Sequence, residues 1–144
     1  MCCTRRALPD KEKGLLMSEK SARPKILVVE DEEDSRLILK WLLEQNGYEI
    51  IEAADGRLAV EVALTRKPDL ILMDISLPKI DGLQAIHEIR AALPDRSATI
   101  IVMSAYDKHE TRAQSLAAGG DDYLSKPLDL EQLEAMIKKY LPLP

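Results

Sequence analysis

The sequence predicts an α/β domain: a doubly wound, five-stranded parallel sheet with helices on both faces. Three observations predict it. Short unbroken apolar runs recur, at residues 26–29 (Ile-Leu-Val-Val), 70–73 (Leu-Ile-Leu-Met) and 100–103 (Ile-Ile-Val-Met), as expected of strands buried on both faces. Helical segments lie between those runs, so strand and helix alternate, which implies parallel pairing through crossover helices. Stop signals separate the elements: Asn46-Gly47, Pro68, Pro94 and Gly119-Gly120.

Taken in order, the first strand is 26–29 and the helix after it spans about 33–46, ended by Asn46-Gly47. Tyr48 to Ala53 reads as a second strand. Asp55-Gly56 opens a helix to about Lys67, stopped by Pro68. Residues 70–73 form the third strand. A helix from about Gly82 places Leu83, Ile86 and Arg90 on one stripe and ends at Pro94. Residues 99–103 form the fourth strand, and an Ala-rich helix follows over about 107–118. Residues 122–124 (Asp-Tyr-Leu) are a short fifth strand. Asp129 then caps a last helix, in which Leu130, Leu133, Ile137 and Tyr140 recur near the helical period. Trp41, among Leu39, Leu42 and Leu43, is expected in the core.

Composition narrows the function. The 144 residues suit one domain. Aromatic residues make up 3% of the chain and Phe is absent, which argues against binding through aromatic stacking platforms. The apolar runs are far shorter than the roughly 20 residues of a membrane span. Residues 1–24 carry six basic and three acidic side chains, against fourteen basic and twenty-two acidic in the remainder. So acidic a domain is a poor partner for nucleic-acid phosphates, and no direct DNA binding is expected. Residues 1–24 read as a flexible leader before a domain at 25–144, with Met17 a candidate second start. Cys2 and Cys3 lie in the leader and supply neither a disulfide framework nor a structural zinc site. No export signal follows Arg5-Arg6, so a cytoplasmic location is the default.

The chemistry is expected at the carboxyl ends of the strands, where open parallel sheets bind ligands. The first strand ends in Glu30-Asp31, the third in Asp74 and the fourth in Ser104, and Lys126-Pro127 follows the fifth. The second ends in Ala53-Ala54 and carries no chemistry. Carboxylates gathered in one pocket repel each other and resist desolvation. A hard divalent cation resolves that conflict, and an oxygen-only ligand set suits Mg²⁺, with the backbone carbonyl near Ser76 as a further ligand. One carboxylate can then attack phosphorus, giving an aspartyl phosphate, while Lys126 balances charge on the phosphoryl oxygens. The acidic run 30–34 also favours a helix N-terminus, which accounts for Glu33 and Asp34. His87 and His109 are lone histidines with no assigned role.

These residues resemble the receiver domain of two-component response regulators, in its stand-alone, chemotaxis-regulator-like form. The resemblance covers about residues 25–142. Its motifs are Val-Val-Glu30-Asp31-Glu, Leu-Met-Asp74-Ile-Ser-Leu-Pro78, Asp81-Gly82, Met-Ser104-Ala105 and Asp-Asp-Tyr123-Leu-Ser-Lys126-Pro127. The resemblance implies a flavodoxin-like strand order of 2-1-3-4-5. It implies Asp74 as phosphoacceptor and Glu30, Asp31, Asp74 and the Ser76 carbonyl as the Mg²⁺ site. It implies Ser104 as the hydroxyl that follows the phosphoryl group, Lys126 as its cationic partner and Tyr123 as the switch aromatic. A cis bond before Pro127 is implied too. Glu30 departs from the Asp found in many relatives, and Ser76 and Tyr106 occupy the variable positions flanking the site.

The implied function is a phosphorelay signalling switch, not an enzyme with a turned-over substrate. A histidine kinase or phosphotransfer protein supplies the phosphoryl group. An unnamed protein receives the signal through the fourth helix, fifth strand and fifth helix. Only Pro142-Leu143-Pro144 follow the last helix, so no further output module is expected. Two alternatives remain: a phosphorylation-independent interaction domain, and a phosphatase with an Asp nucleophile. The latter is disfavoured because Ser76 stands where many such enzymes carry a second Asp.

Overall fold

The structure, a computed structural model, describes residues 23–75, 82–93, 98–105 and 109–142. Ten elements alternate along the chain: β1 (Lys25–Val29), α1 (Glu33–Gln45), β2 (Glu49–Ala53), α2 (Gly56–Arg66), β3 (Leu70–Asp74), α3 (Gly82–Ala92), β4 (Thr99–Ser104), α4 (His109–Ala118), β5 (Asp122–Ser125) and α5 (Leu130–Tyr140). Every strand pair is parallel, in the order β2-β1-β3-β4-β5. Residues 1–22 of the expected leader lie outside the described residues. Arg23 and Pro24 are tied to the start of β2: Arg23 donates to the Gly47 and Tyr48 carbonyls, and Pro24 accepts from Glu49 N–H at 2.9 Å. Among the described residues no helix is long and apolar enough to cross a membrane.

Successive strand residues point to opposite faces, and each face has its own cover. Leu27, Val29, Ile71, Met73, Ile100 and Val102 pack with α2 and α3 through Ala59, Ala63, Ile86 and Ile89. Ile26, Val28, Leu70, Leu72, Ile101 and Met103 pack with α1 and α5 through Leu39, Leu43, Leu133 and Ile137. Both sides of a strand are therefore apolar, which produces the unbroken runs. Helix ends follow local chemistry. Asp55 accepts from Leu58 N–H at 2.8 Å to cap α2, and Asp129 accepts from Glu131 N–H at 2.9 Å to cap α5. After α1, Gly47 takes φ 98°, a left-handed turn that glycine enters without steric cost.

Three expected faces differ. Trp41 is 64% exposed and not in the core. Leu39 and Leu43 are the α1 residues that face the sheet, and a position two residues from each lies about 200° around the helix. The α3 stripe is Ala85, Ile86 and Ile89, not Leu83, Ile86 and Arg90. Arg90 instead spends its guanidinium on the Gly119 and Ala98 carbonyls and on Asp121, at 2.9, 2.6 and 2.7 Å, tying α3 to the β4 and β5 entries. On α5, Leu133 and Ile137 are buried while Leu130 is 41% exposed, because it occupies the first helical position at the sheet's rim.

β1 has β2 on one side and β3 on the other, so the chain reverses its direction of travel across the sheet there. A crevice opens at such a point beyond the strand ends. Gly82, the first residue of α3, closes against it: its N–H donates to the Ile75 carbonyl at 3.2 Å. A Cβ at Gly82 would fall far inside contact distance of the Asp74 carbonyl oxygen and Ile75 Cα. Both are backbone atoms, so the strand end itself would have to move. Gly82→Ala is expected to lower stability by about 1–3 kcal/mol through overpacking and to shift the amide resonances of Asp74 and Ile75. Urea denaturation and heteronuclear NMR check this; unchanged resonances at both positions would refute it.

Candidate metal and phosphoacceptor site

Register decides which side chains meet. Val29 pairs with Met73, so Glu30 and Asp74, the next residue of each strand, emerge side by side. Asp74 in turn pairs with Met103, and Ser104 with Ser125, which brings Ser104 and Lys126 to the same edge. Asp74 is 4% exposed and Glu30 2%, while Asp31 stands open to solvent. One carboxylate oxygen from each of Glu30, Asp31 and Asp74 lies within 4.8 Å of the others. Lys126 Nζ donates to Glu30 Oε1 at 2.7 Å and to Asp74 Oδ2 at 2.9 Å. Its backbone N–H donates to the Ser104 carbonyl at 2.7 Å, and its bond to Pro127 is cis. Ser104 is fully buried at the end of β4. Tyr123 of β5 is buried too, with the Arg112 guanidinium carbon 5.8 Å from its ring centroid. Ser76 and Tyr106 lie outside the described residues.

The electrostatics follow from burial and charge. Burial pushes the Glu30 carboxyl up to about 7, aided by its hydrogen bond to Asp74 and by that neighbour's charge. Lys126 opposes the rise without cancelling it. At Lys126, burial works against the ammonium, but the hydrogen bonds and charges of Glu30 and Asp74 outweigh it and hold the group above its ordinary value. Three carboxylates and one ammonium leave a deficit of positive charge. Hard oxygen donors at this spacing fit a divalent cation such as Mg²⁺, with Glu30, Asp31 and Asp74 as the described residues that would hold it.

Two contributors escape the motif reading. Arg36 of α1 donates from Nη1 to the Glu30 carbonyl at 2.8 Å and from Nε to Glu52 Oε1 at 3.1 Å. Glu52 belongs to β2, the strand expected to carry no chemistry. Arg36 follows Glu30 by six residues across a loop and a helix turn, a spacing that means nothing until the loop's path is known. His87 is exposed on α3.

Without metal, Glu30 gives stability a definite pH dependence. Its pKa is higher folded than unfolded, so between about pH 4.5 and 7 the folded state holds more protons. The unfolding free energy therefore falls as pH rises through that window, by up to about 3 kcal/mol. Glu30→Gln cannot titrate and is expected to gain on the wild type between pH 5 and pH 8. Urea midpoints of both proteins across that range, in chelator, measure it; parallel profiles would rule it out.

Comparison with known proteins agrees with this geometry. The response regulator receiver domain profile matches residues 26–138. The chain is 38% identical over 117 residues to the alkaline phosphatase synthesis transcriptional regulatory protein PhoP of Bacillus subtilis, covering 81% of this chain and 48% of that protein. It therefore spans about half the length of that relative. It is 31% identical over 119 residues to sporulation initiation phosphotransferase F of the same organism, covering 83% of this chain and 94% of the relative. Among solved structures, the receiver domain of sensor histidine kinase PA1611 from Pseudomonas aeruginosa, with a magnesium ion coordinated in its active-site cleft, is similar with TM-score 0.76 and 36% identity. That match covers 83% of this chain and 98% of the other. Receiver domains bind Mg²⁺ at an acidic pocket, and this chain builds such a pocket from three strand ends and the loop after a fourth. The profile match, the strand order and the acid cluster converge: this chain belongs to the response regulator receiver family of two-component signalling.

Proposed function

We propose that this chain is a stand-alone response regulator whose Asp74 accepts a phosphoryl group from a histidine kinase or phosphotransfer protein. The observation that carries this reading is Asp74 itself, a buried carboxylate at the end of a central strand, shared with Lys126 and set against two further acids. An Asp74 oxygen attacks the phosphorus of a phosphohistidine, forming the O–P bond of an acyl phosphate. The P–N bond breaks and its electron pair stays on the imidazole nitrogen. Glu30, Asp31 and Asp74, with the Ser76 carbonyl expected from the sequence, would hold Mg²⁺, which would supply positive charge to balance the phosphoryl oxygens. Lys126 lies within hydrogen-bond reach of the Asp74 oxygen and supplies the second cation. Ser104 donates its hydroxyl to a phosphoryl oxygen.

A groove of about 270 Å³ runs from Glu30 and Lys126 between α1 and the start of α5, past Ile38, Leu39, Leu128 and Leu130. It gives an imidazole an apolar approach to the charged site. Phosphorylation then biases a two-state equilibrium in which Ser104 and Tyr123 shift together. The readout is the surface of α4, β5 and α5, acting on a separate protein.

Purified protein with Mg²⁺ and acetyl phosphate is expected to gain one acid-stable, base-labile phosphoryl group per chain, and Asp74→Asn none. Intact-mass spectrometry and radiolabel transfer read the result. No incorporation into the wild type, or undiminished incorporation into the variant, would overturn the assignment. Steady hydrolysis of a phosphomonoester would move it to the phosphatase class.

A further inference from the structure

We propose that Arg36 is a positioning residue for the metal-binding acids: its guanidinium ties the Glu30 carbonyl to Glu52 and so aims the Glu30 and Asp31 carboxylates. The proposal rests on reading the acid cluster as a Mg²⁺ site. Its starting point is a backbone problem. Glu30 is the first residue past β1, where ladder hydrogen bonding ends. Its N–H is still held, donating to the Ala53 carbonyl at 3.1 Å. Its carbonyl has left the ladder, and Arg36 Nη1 meets it at 2.8 Å. The Glu30 peptide is thus fixed on both sides, by β2 and by α1.

The guanidinium is itself held. Its Nε donates to Glu52 Oε1 at 3.1 Å, and Lys40 Nζ lies 3.4 Å from Glu52 Oε2. The Arg36 side chain is 16% exposed, so the link is largely shielded from water. Two divergent N–H groups on a planar fork serve two acceptors at once, which a lysine ammonium on its flexible stem does not reproduce. Fixing the Glu30 peptide fixes the start of the following residue as well. Both carboxylates therefore leave a restrained backbone, one buried and one exposed. Partners of this outer kind set ligand aim, and their loss typically weakens metal binding about 10- to 100-fold.

Charge alone predicts the opposite. A cation beside an acid cluster repels Mg²⁺, so removing it would tighten binding. Three variants separate the two effects in the full chain, with Mg²⁺ titrated by isothermal calorimetry at constant ionic strength. Arg36→Met is expected to raise the Mg²⁺ Kd about tenfold. Arg36→Lys keeps the charge and loses the fork, and is expected to weaken binding nearly as much. Glu52→Gln, at a partly exposed site, loosens the guanidinium and is expected to weaken binding by a smaller factor. Circular dichroism verifies folding of each variant; should Arg36→Met not fold, the other two decide. Wild-type Kd values in Arg36→Lys and Glu52→Gln, or tighter binding by Arg36→Met, would overturn the positioning role while leaving the Mg²⁺ site standing. A wild type that binds no Mg²⁺ would overturn both.

Discussion

The ammonium of Lys126 sits between two buried carboxylates, and the rest of the site depends on that arrangement. Glu30 and Asp74 are almost wholly removed from water, where an unpaired carboxylate is strongly disfavoured. One cation bridging both offsets part of that cost. It does not offset all of it, as the raised Glu30 pKa shows. With Asp31 beside them, the group retains an excess of negative charge. Hard oxygen donors with an unbalanced negative charge are the ligand chemistry that suits a divalent cation.

Such a cluster needs a scaffold that does not yield. Parallel strands packed on both faces provide one, because sliding any strand by one residue would exchange its side chains between two differently shaped, close-packed cores. The register that puts Glu30 beside Asp74 is thus enforced by the two cores far from the chemistry. Lys126 reaches the pair from a loop beyond β5, anchored by its own N–H on Ser104. Gly82 lets α3 close on the Asp74 peptide from the other side. Arg36 completes the frame at the end of β1.

The two helices beside β5 are held by different contacts. α4 buries Ser115, and its contact with β5 includes Arg112 over the Tyr123 ring. α5, by contrast, is capped by Asp129 and anchored by Leu133, Ile137 and the Tyr140 hydroxyl, which donates to Asp122 at 2.9 Å.

Much of this was legible in the sequence. Residues 26–29 and 70–73 announce buried strands by apolar continuity, and Asn46-Gly47 and Asp129 announce helix ends by local backbone chemistry. These signals act over a few residues, so no distant partner is needed to read them. The acids, Ser104 and Lys126 were legible as a constellation because each stands at or just beyond a strand end, whereas Tyr123, inside β5, was singled out only by the family resemblance. Trp41, Leu83 and Leu130 were misplaced, since which side of a helix meets the sheet depends on how that helix is docked. Arg36 and Glu52 were invisible for a similar reason. Each is an ordinary charged residue until folding sets a carbonyl of the β1–α1 loop between α1 and β2. The sequence by itself determined the element types, their order and the chemistry available at one edge, because propensity and apolar period are local properties. Only the tertiary structure decided which charges meet, which arginine holds the loop and which apolar side chains remain outside, because those follow from distances between segments far apart in the chain.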